Sequence, residues 1–111
     1  MASDNVTGML EAALKGEVDG STRRRAEYST DASTYRVVPL VVAYPKDADD
    51  VAAALAVARE TGVPVTSRGA GTSCAGNAVG PGIVLDFSRH MNKILEIDPE
   101  KRTARVQPGV I

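Results

Sequence analysis

The sequence predicts an α+β fold, in which a small βαβ subdomain with a short parallel sheet and flanking helices precedes the start of an antiparallel subdomain. Two observations indicate this. An apolar run at 40–44 and a second predicted strand at 63–67 flank an alanine-rich segment with a helical pattern at 47–61. Further along, residues 94–106 alternate apolar and polar side chains on both sides of a turn sequence. Strand, helix and strand in that order are typical of a unit with parallel strands, and the alternation is typical of a β-hairpin.

The first strand and the helix of the βαβ unit have clear boundaries. The β-branched run 40–44 is closed by Pro45, as expected of a buried strand. Asp47 is suited to be the N-cap of the helix, which extends to about Thr61 and ends at Gly62. The side chains predicted to face the sheet share one side of this helix: Val51, Ala54, Leu55 and Ala58.

The C-terminal third predicts two kinds of strand. The apolar run 83–87 indicates another buried strand. Strands over 94–97 and 103–106 then flank Asp98-Pro99-Glu100-Lys101, a favourable turn sequence, and so predict a hairpin.

The N-terminal part has a less regular pattern. Thr7 is suited to cap a short helix from Met9 to Lys15, which Gly16 would end. A second short helix, from Arg23 to Tyr28, would be capped by Ser21 or Thr22, and the polar stretch 29–35 predicts a loop. We therefore predict an N-terminal helical and loop segment over residues 1–36, followed by the main domain over residues 37–111.

Composition excludes several classes of function. The 111 residues carry 13 basic and 14 acidic side chains, and this net charge of -1 argues against a nucleic-acid partner. With one cysteine, Cys74, and one histidine, His90, the sequence predicts no disulfide framework and no metal site. We also predict no transmembrane segment, because no apolar run approaches the roughly 20 residues of a spanning helix. The N-terminus lacks the pattern of a signal peptide, so we expect a cytoplasmic protein.

The glycine-rich loop that begins at Arg68 carries the strongest functional signal. Gly69 and Gly71 allow the main chain to turn sharply and to approach a ligand closely, and successive amides in such a turn form a concave site for anions. Thr72 and Ser73 add hydroxyl donors, while Arg68 can supply charge or brace the loop. These residue types in this order predict a cradle for phosphate or pyrophosphate.

Neither of the two common nucleotide-binding motifs fits this loop. A dinucleotide-binding Rossmann fingerprint requires a third glycine at position 74, where Cys74 stands, and it should follow the first strand of the unit. Gly71 and Gly76 have the spacing of a P-loop, but Asn77 occupies the place of the required lysine.

Several ordered blocks instead resemble the FAD-linked oxidases and dehydrogenases of the vanillyl-alcohol-oxidase type, which have a PCMH-type FAD-binding fold. Within that family the chain is most similar to the glycolate and D-lactate dehydrogenase branch, which oxidises D-2-hydroxy acids. The resemblance extends over roughly residues 37–111 and includes the following blocks: Val63-Pro64-Val65, the stretch 68–80, the stretch 84–89, Asn92-Lys93-Ile94, Ile97-Asp98-Pro99 and the stretch 105–110.

The resemblance implies that the loop wraps the pyrophosphate of FAD, mainly with backbone amides. The implied cofactor-binding residues are Ser67, Arg68, Gly69, Ala70, Gly71, Thr72, Ser73, Gly76 and Asn77. Relatives that attach the flavin covalently in this loop have histidine at the position of Thr72, so the resemblance implies non-covalent FAD here. Two positions depart from the usual family pattern: Ser67 stands where proline is frequent, and Asn77 where glutamine is frequent.

Family members continue into the rest of the flavin domain and a substrate-binding cap domain, so the resemblance identifies this chain as the N-terminal part of a larger flavoenzyme. We assign no catalytic residue within it, because the groups that face the flavin ring and the substrate base are expected beyond Ile111. We expect the fragment alone to be inactive. A small 2-hydroxy acid would bind through the C-terminal domain, while the electron acceptor and any iron–sulfur partner stay open.

Two alternative functions also stay open. One is a non-catalytic nucleotide- or phosphate-binding module. The other is a flavoprotein similar to UDP-N-acetylenolpyruvylglucosamine reductase, the cell-wall precursor enzyme, whose loop usually reads Gly-x-Gly-Ser-Asn; Gly71-Thr72-Ser73 departs from that pattern. Outside these roles, Cys74 is expected to be a buried or half-buried thiol, and His90 a surface or packing residue.

Overall fold

The computed structural model describes residues 2–111, so Met1 lies outside the description. Helices and strands alternate through the first part of the chain, and a hairpin ends it. The elements are α1 (Ala2–Ala13), β1 (Val18–Asp19), α2 (Thr22–Glu27), β2 (Val41–Ala43), α3 (Ala48–Thr61), β3 (Val65–Arg68), β4 (Ile83–Asp86), β5 (Ile94–Asp98) and β6 (Thr103–Val106).

Four strands form the main sheet, in the order β1-β2-β4-β3. β4 is parallel to both β2 and β3, which confirms the predicted parallel sheet, and it separates the two strands of the βαβ unit. β1 pairs antiparallel with β2 through Val18 and Asp19. The sequence did not predict β1, since a strand of two residues between Gly16 and Gly20 is too short to show a periodic pattern.

The helix α3 confirms the predicted caps but corrects the predicted buried face. The Asp47 side chain accepts a hydrogen bond from the Asp50 amide at 3.0 Å, and Gly62 ends the helix in the left-handed conformation at φ 74°. Leu55, predicted to face the sheet, is 49% exposed. The predictions for Ala54 and Ala58 are confirmed, since both are buried in the core beside Val57, and Val51 packs against the core while partly exposed. The correction is a rotation of the helix: Ala54 and Ala58 keep the backbones close, and Val57 fills the space beside them.

The first helix is longer than predicted. α1 begins at Ala2, so the prediction of Thr7 as the N-cap of a helix over Met9 to Lys15 is wrong. The packing explains the extension, because Val6, Leu10 and Leu14 lie one turn apart and join the same core as α3. By contrast, α2 confirms its predicted cap: the Ser21 hydroxyl accepts a hydrogen bond from the Arg24 amide at 3.2 Å.

The two faces of the main sheet bury different side chains. One face packs against α1 and α3 around aliphatic residues such as Val41, Ile83 and Leu85. The other face is smaller and groups Val42, Tyr44 and Val84, with Tyr28 from the end of α2 packed against them. None of the helices in residues 2–111 combines the length and the apolar character that crossing a membrane would require.

The predicted hairpin is confirmed, and it stands apart from the main sheet. β5 and β6 pair antiparallel, and Asp98 closes the turn by accepting hydrogen bonds at 3.1 Å from the amides of Glu100 and Lys101. The Gly109 amide donates to the Met91 carbonyl at 2.8 Å and joins the end of the hairpin to the body. The large apolar side chains of the hairpin are exposed: Ile94, Leu95, Ile97 and Val106.

Candidate functional site

The glycine-rich loop connects β3, at the edge of the sheet, with β4 in its middle. It therefore leaves the carboxyl end of β3, the end at which open α/β sheets bind ligands. Gly71 has φ 72° and Gly76 has φ 81°, both in the left-handed region that a residue with a side chain rarely adopts. These two glycines turn the main chain twice within the loop.

Around the first turn, at Gly71, the main chain presents unused donors. The amides from Gly69 to Ser73 donate to no protein acceptor within residues 2–111. A Cβ added at Gly69 would meet only the Pro108 carbonyl oxygen, at 3.9 Å, so the backbone is open there. Successive amides without a protein acceptor are groups that could hold an anion such as the pyrophosphate of a cofactor.

The predicted site residues all lie on this loop or at its start, and they divide by exposure. Ser67, Ala70, Thr72 and Asn77 are exposed, whereas Arg68, Gly69, Gly71, Ser73 and Gly76 are half-buried. Ser73 has a structural function that the sequence did not reveal. Its hydroxyl oxygen accepts hydrogen bonds from the amides of Ala75 at 3.3 Å and Asn77 at 3.1 Å, so it closes the second turn.

Arg68 braces the loop from below. Its guanidinium donates to the Thr30 carbonyl at 2.8 Å and to the Ala78 carbonyl at 3.3 Å. The same group lies 4.9 Å from the centre of the Tyr28 ring, a cation–π distance. A Cβ on Gly71 would come within 2.5 Å of the guanidinium, so the loop backbone rests directly on this side chain. Of the two roles predicted for Arg68, these contacts favour bracing.

Residues near position 31 also contact the loop, and sequence reasoning missed them. The Asp31 carboxylate accepts a hydrogen bond from the Ala78 amide at 3.2 Å. The ring of Tyr35 lies beside Gly76, where an added Cβ would be 2.7 Å from its Cδ2 atom. The only sequence signal was the Asp-x-Ser spacing at Asp31 and Ser33, which predicts a local turn and says nothing about a partner 47 positions away.

Aromatic and charged side chains gather under the same edge of the sheet. The Tyr28 hydroxyl donates to Asp86, and the Tyr28 and Tyr44 rings meet edge to face at 6.1 Å. Burial, reinforced by Asp86, raises the pKa of Tyr28 above its ordinary value, so the phenol stays neutral. The Tyr44 hydroxyl is buried and has no hydrogen-bond partner within residues 2–111, while Arg89 lies 3.7 Å from its ring centre.

The single cysteine and the single histidine lie in different surroundings. Cys74 is exposed on the loop, which corrects the expectation of a buried or half-buried thiol. Cys74 lies between Gly71 and Gly76, in a stretch where Thr72 and Ala75 are exposed as well. His90 pairs with Glu17 at 2.6 Å, and this hydrogen bond holds the pKa of Glu17 below its ordinary range.

The fold is thus an α+β module in which a glycine-rich loop with unused amide donors leaves the carboxyl edge of a short parallel sheet, and an antiparallel hairpin follows. Residues 39–111 match the family described as the FAD binding domain. The chain belongs to that family.

Curated relatives point in the same direction. The chain is 40% identical, over 98% of its length, to a D-2-hydroxyglutarate dehydrogenase of Pseudomonas putida. It is 42% identical, over 93% of its length, to the glycolate oxidase subunit GlcD of Bacillus subtilis. It spans 12% of the first relative and 22% of the second. The predicted resemblance to FAD-linked oxidases and dehydrogenases is therefore confirmed, and the relatives include a glycolate oxidase subunit and a D-2-hydroxyglutarate dehydrogenase.

Solved structures confirm the fold. p-Cresol methylhydroxylase with substrate bound superposes with a TM-score of 0.81 at 22% identity, over 98% of this chain and 22% of that one. An alkyldihydroxyacetonephosphate synthase superposes with a TM-score of 0.79 at 18% identity, over 97% of this chain and 23% of that one. The PCMH-type FAD-binding fold predicted from the sequence is the fold that this chain adopts.

Proposed function

We propose that the protein containing this chain is an FAD-dependent oxidoreductase that oxidises a D-2-hydroxy acid such as lactate or glycolate. The observation that carries the proposal is the run of amides from Gly69 to Ser73, which spans the first turn at Gly71 and donates to no acceptor among residues 2–111. The names of the relatives, a D-2-hydroxyglutarate dehydrogenase and a glycolate oxidase subunit, support the substrate class. Both act on a carbon that carries a hydroxyl next to a carboxylate.

Within this proposal the chain holds the cofactor and leaves the chemistry to groups outside it. The backbone from Ser67 to Ser73 would bind the pyrophosphate, with Gly76 and Asn77 at the second turn. FAD, when bound, takes up the two electrons that the hydroxy acid loses. Amide donors suit this task because they donate hydrogen bonds to phosphate oxygens without needing a basic patch, in agreement with the net charge of -1.

We also propose that the FAD is bound without a covalent bond to this loop. Thr72 offers a hydroxyl, which is a poor group for attachment to flavin, at the position where covalent relatives have histidine. His90, the single histidine, follows β4 and is paired with Glu17. Cys74 is exposed in the loop, and its thiol is the one nucleophile there that a test must exclude.

Several expectations stay predictions: the division of the chain at residues 36 and 37, the cytoplasmic location, the substrate-binding C-terminal domain and any electron-accepting or iron–sulfur partner.

The proposed substrate class can be tested directly. Purified full-length protein should reduce an artificial electron-accepting dye when supplied with D-lactate, glycolate or D-2-hydroxyglutarate. L-lactate and L-2-hydroxyglutarate serve as controls, whereas glycolate is achiral and has no enantiomer. A flavoprotein that shows no turnover with any of the three acids would overturn the substrate class.

The cofactor proposal has its own test. Full-length protein should be yellow, and acid precipitation should release all the flavin as FAD into the supernatant. Cys74→Ser should leave both results unchanged. Flavin that stays with the precipitate of the wild type but not of Cys74→Ser would show covalent attachment at the thiol. A colourless protein that does not bind added FAD would overturn the cofactor itself.

A further inference from the structure

We propose that residues 29–36, which precede the matched domain, are part of the cofactor site and that Asp31 is a positioning residue for the loop. We call residues 29–36 the clamp segment. The family match begins at residue 39, so this assignment extends the site beyond the domain that the match defines. The proposal rests on the proposed function of the loop as the holder of FAD pyrophosphate.

The clamp segment is itself a fixed structure. An isolated antiparallel bridge joins Thr30 with Arg36, and the Val37 amide donates to the Ser29 carbonyl at 2.9 Å. Inside this small loop, Oδ1 of Asp31 accepts hydrogen bonds from the Ser33 amide at 2.9 Å and the Ser33 hydroxyl at 2.5 Å. The Asp31 carboxylate is therefore oriented within its own segment, independently of the glycine-rich loop.

The clamp segment contacts the glycine-rich loop at both ends of that loop. At the start of the loop, the Thr30 carbonyl accepts a hydrogen bond from Arg68, the residue that underlies Gly71. At the end of the loop, Oδ2 of Asp31 accepts a hydrogen bond from the Ala78 amide. Both ends are thus attached to adjacent residues of one segment.

A third contact lies at the second turn. The ring of Tyr35 packs beside Gly76, although the side chain is 62% exposed overall. Fixing both ends and one turn before the cofactor arrives reduces the ordering that binding requires, and this reduction strengthens affinity. The clamp segment can therefore affect FAD binding without itself touching FAD.

Because Asp31 is charged, a positioning role for it can be distinguished from a direct electrostatic effect on FAD binding. The hydrogen bonds from Ser33 lower the pKa of Asp31, so its carboxylate is ionised at neutral pH. A negative charge near a pyrophosphate site disfavours binding through space. If charge were the main effect of Asp31, replacing it with a neutral side chain would strengthen FAD binding. If positioning dominates, the same replacement weakens it.

Asp31→Asn in the full-length protein is the sharpest variant for this test. An asparagine has one acceptor oxygen, so it cannot hold the Ser33 amide and the Ala78 amide together as the carboxylate does. We expect the Kd for FAD, measured by fluorescence titration, to rise about tenfold, as for the loss of one charge-assisted hydrogen bond. The affinity for ADP, which carries the pyrophosphate without the flavin, should fall by a similar factor.

Glu60→Gln is the matched control. Glu60 is exposed near the C-terminal end of α3, and its replacement by glutamine removes the same charge. Because α3 runs away from the edge of the sheet that carries the loop, the Kd of the Glu60→Gln protein for FAD should not change. Hydrogen exchange provides a readout without cofactor: in apo Asp31→Asn, the Ala78 amide should exchange faster, whereas the amides of α3 should not.

The outcomes are distinguishable. An unchanged or lower Kd for FAD in Asp31→Asn would overturn the positioning role, as would a weaker affinity that Glu60→Gln shares. A fall in thermal stability of the apo protein with an unchanged Kd would also overturn it. Asp31→Ala should exceed the effect of Asp31→Asn; if it fails to fold, the result from Asp31→Asn decides. Absence of FAD binding by the wild type would instead overturn the proposed function.

Discussion

The Tyr28 hydroxyl donates a hydrogen bond of 2.5 Å to Oδ2 of Asp86, the last residue of the central strand β4. Tyr28 is also the C-cap of α2, so this bond joins the N-terminal helical segment to the carboxyl edge of the sheet. Because Arg68 lies over the same Tyr28 ring, the bond supports the residue on which the loop backbone rests. The two residues are 58 positions apart in the chain.

Removing this hydroxyl should destabilise the fold. Tyr28→Phe leaves the Asp86 carboxylate buried with only its bonds to the amide and hydroxyl of Ser88. We expect a loss of about 1.5 to 3 kcal/mol in the free energy of unfolding, the usual cost for a hydrogen bond to a charged group. Urea denaturation measures it. Tyr35→Phe is the control, since Tyr35 is exposed and should lose less than about 0.5 kcal/mol.

The same phenol should make stability depend on alkaline pH. Burial, reinforced by Asp86, raises the pKa of Tyr28 above its ordinary value of 10.0. The unfolded chain releases this proton near pH 10 while the folded chain keeps it, so the stabilisation is complete below that pH and is lost as the pH rises further. Unfolding curves from about pH 9 to about pH 11 should fall less steeply for Tyr28→Phe. Identical slopes would contradict the prediction.

Asp50, in the first turn of α3, provides a second test of stability. Its buried carboxylate accepts hydrogen bonds from the backbone amides of Lys15 at 2.9 Å, Gly16 at 2.9 Å and Lys46 at 3.0 Å. Asp50→Asn has too few acceptors for these amides, and we expect a loss of about 2 to 3 kcal/mol in the free energy of unfolding. Asp49→Asn, at the exposed neighbouring position, should cost less than about 1 kcal/mol.

The acid side of the pH profile tests the same carboxylate. Burial alone would raise the pKa of Asp50, but the amide hydrogen bonds outweigh it, so the pKa lies below the ordinary 3.8. A lowered pKa means that the stabilisation is present at pH values above 3.8 and is lost as the pH falls through the folded value. Asp50→Asn should therefore lose less stability than the wild type on acidification, and an equal loss would contradict the assignment.

Gly71→Ala should impair cofactor binding more than it impairs folding. At φ 72° an alanine is strained by roughly 1 to 2 kcal/mol, and its Cβ would displace the Arg68 guanidinium. We expect the Kd for FAD to rise by at least about tenfold in the full-length protein. Gly8→Ala is the control, because an added Cβ at Gly8 in α1 meets no atom within 4 Å; it should stabilise the fold slightly and leave the Kd unchanged.

Local sequence signals predicted the elements whose boundaries depend on local chemistry. Asp47 and Gly62 bound α3, and Ser21 caps α2, because caps and left-handed glycines act within one turn of the chain. The hairpin was equally readable from its alternation and its turn. Predictions were wrong where packing between distant segments decides: α1 starts early because it packs on α3, and α3 is rotated so that Leu55 faces solvent.

The candidate site followed the same rule. The glycines that turn the loop could be identified from the sequence, because positive φ has a clear residue preference. The attachments of the loop could not, because Asp31 and Tyr35 belong to a polar stretch whose composition predicts only a loop. Contacts over 47 positions, such as the one between Asp31 and Ala78, depend on the whole fold and leave no periodic signal.

The strand order β1-β2-β4-β3 has a consequence for the growing chain on the ribosome. β4, which lies between β2 and β3 in the sheet, is the last of the four strands to be synthesised, so β2 and β3 cannot be joined until β4 has emerged. The glycine-rich loop must leave the exit tunnel before β4, so this loop is complete before the sheet can close. A pause in translation just before β4 leaves the exit tunnel would expose the unpaired edges of β2 and β3 to solvent, and the nascent chain would then be most exposed to aggregation and to chaperones.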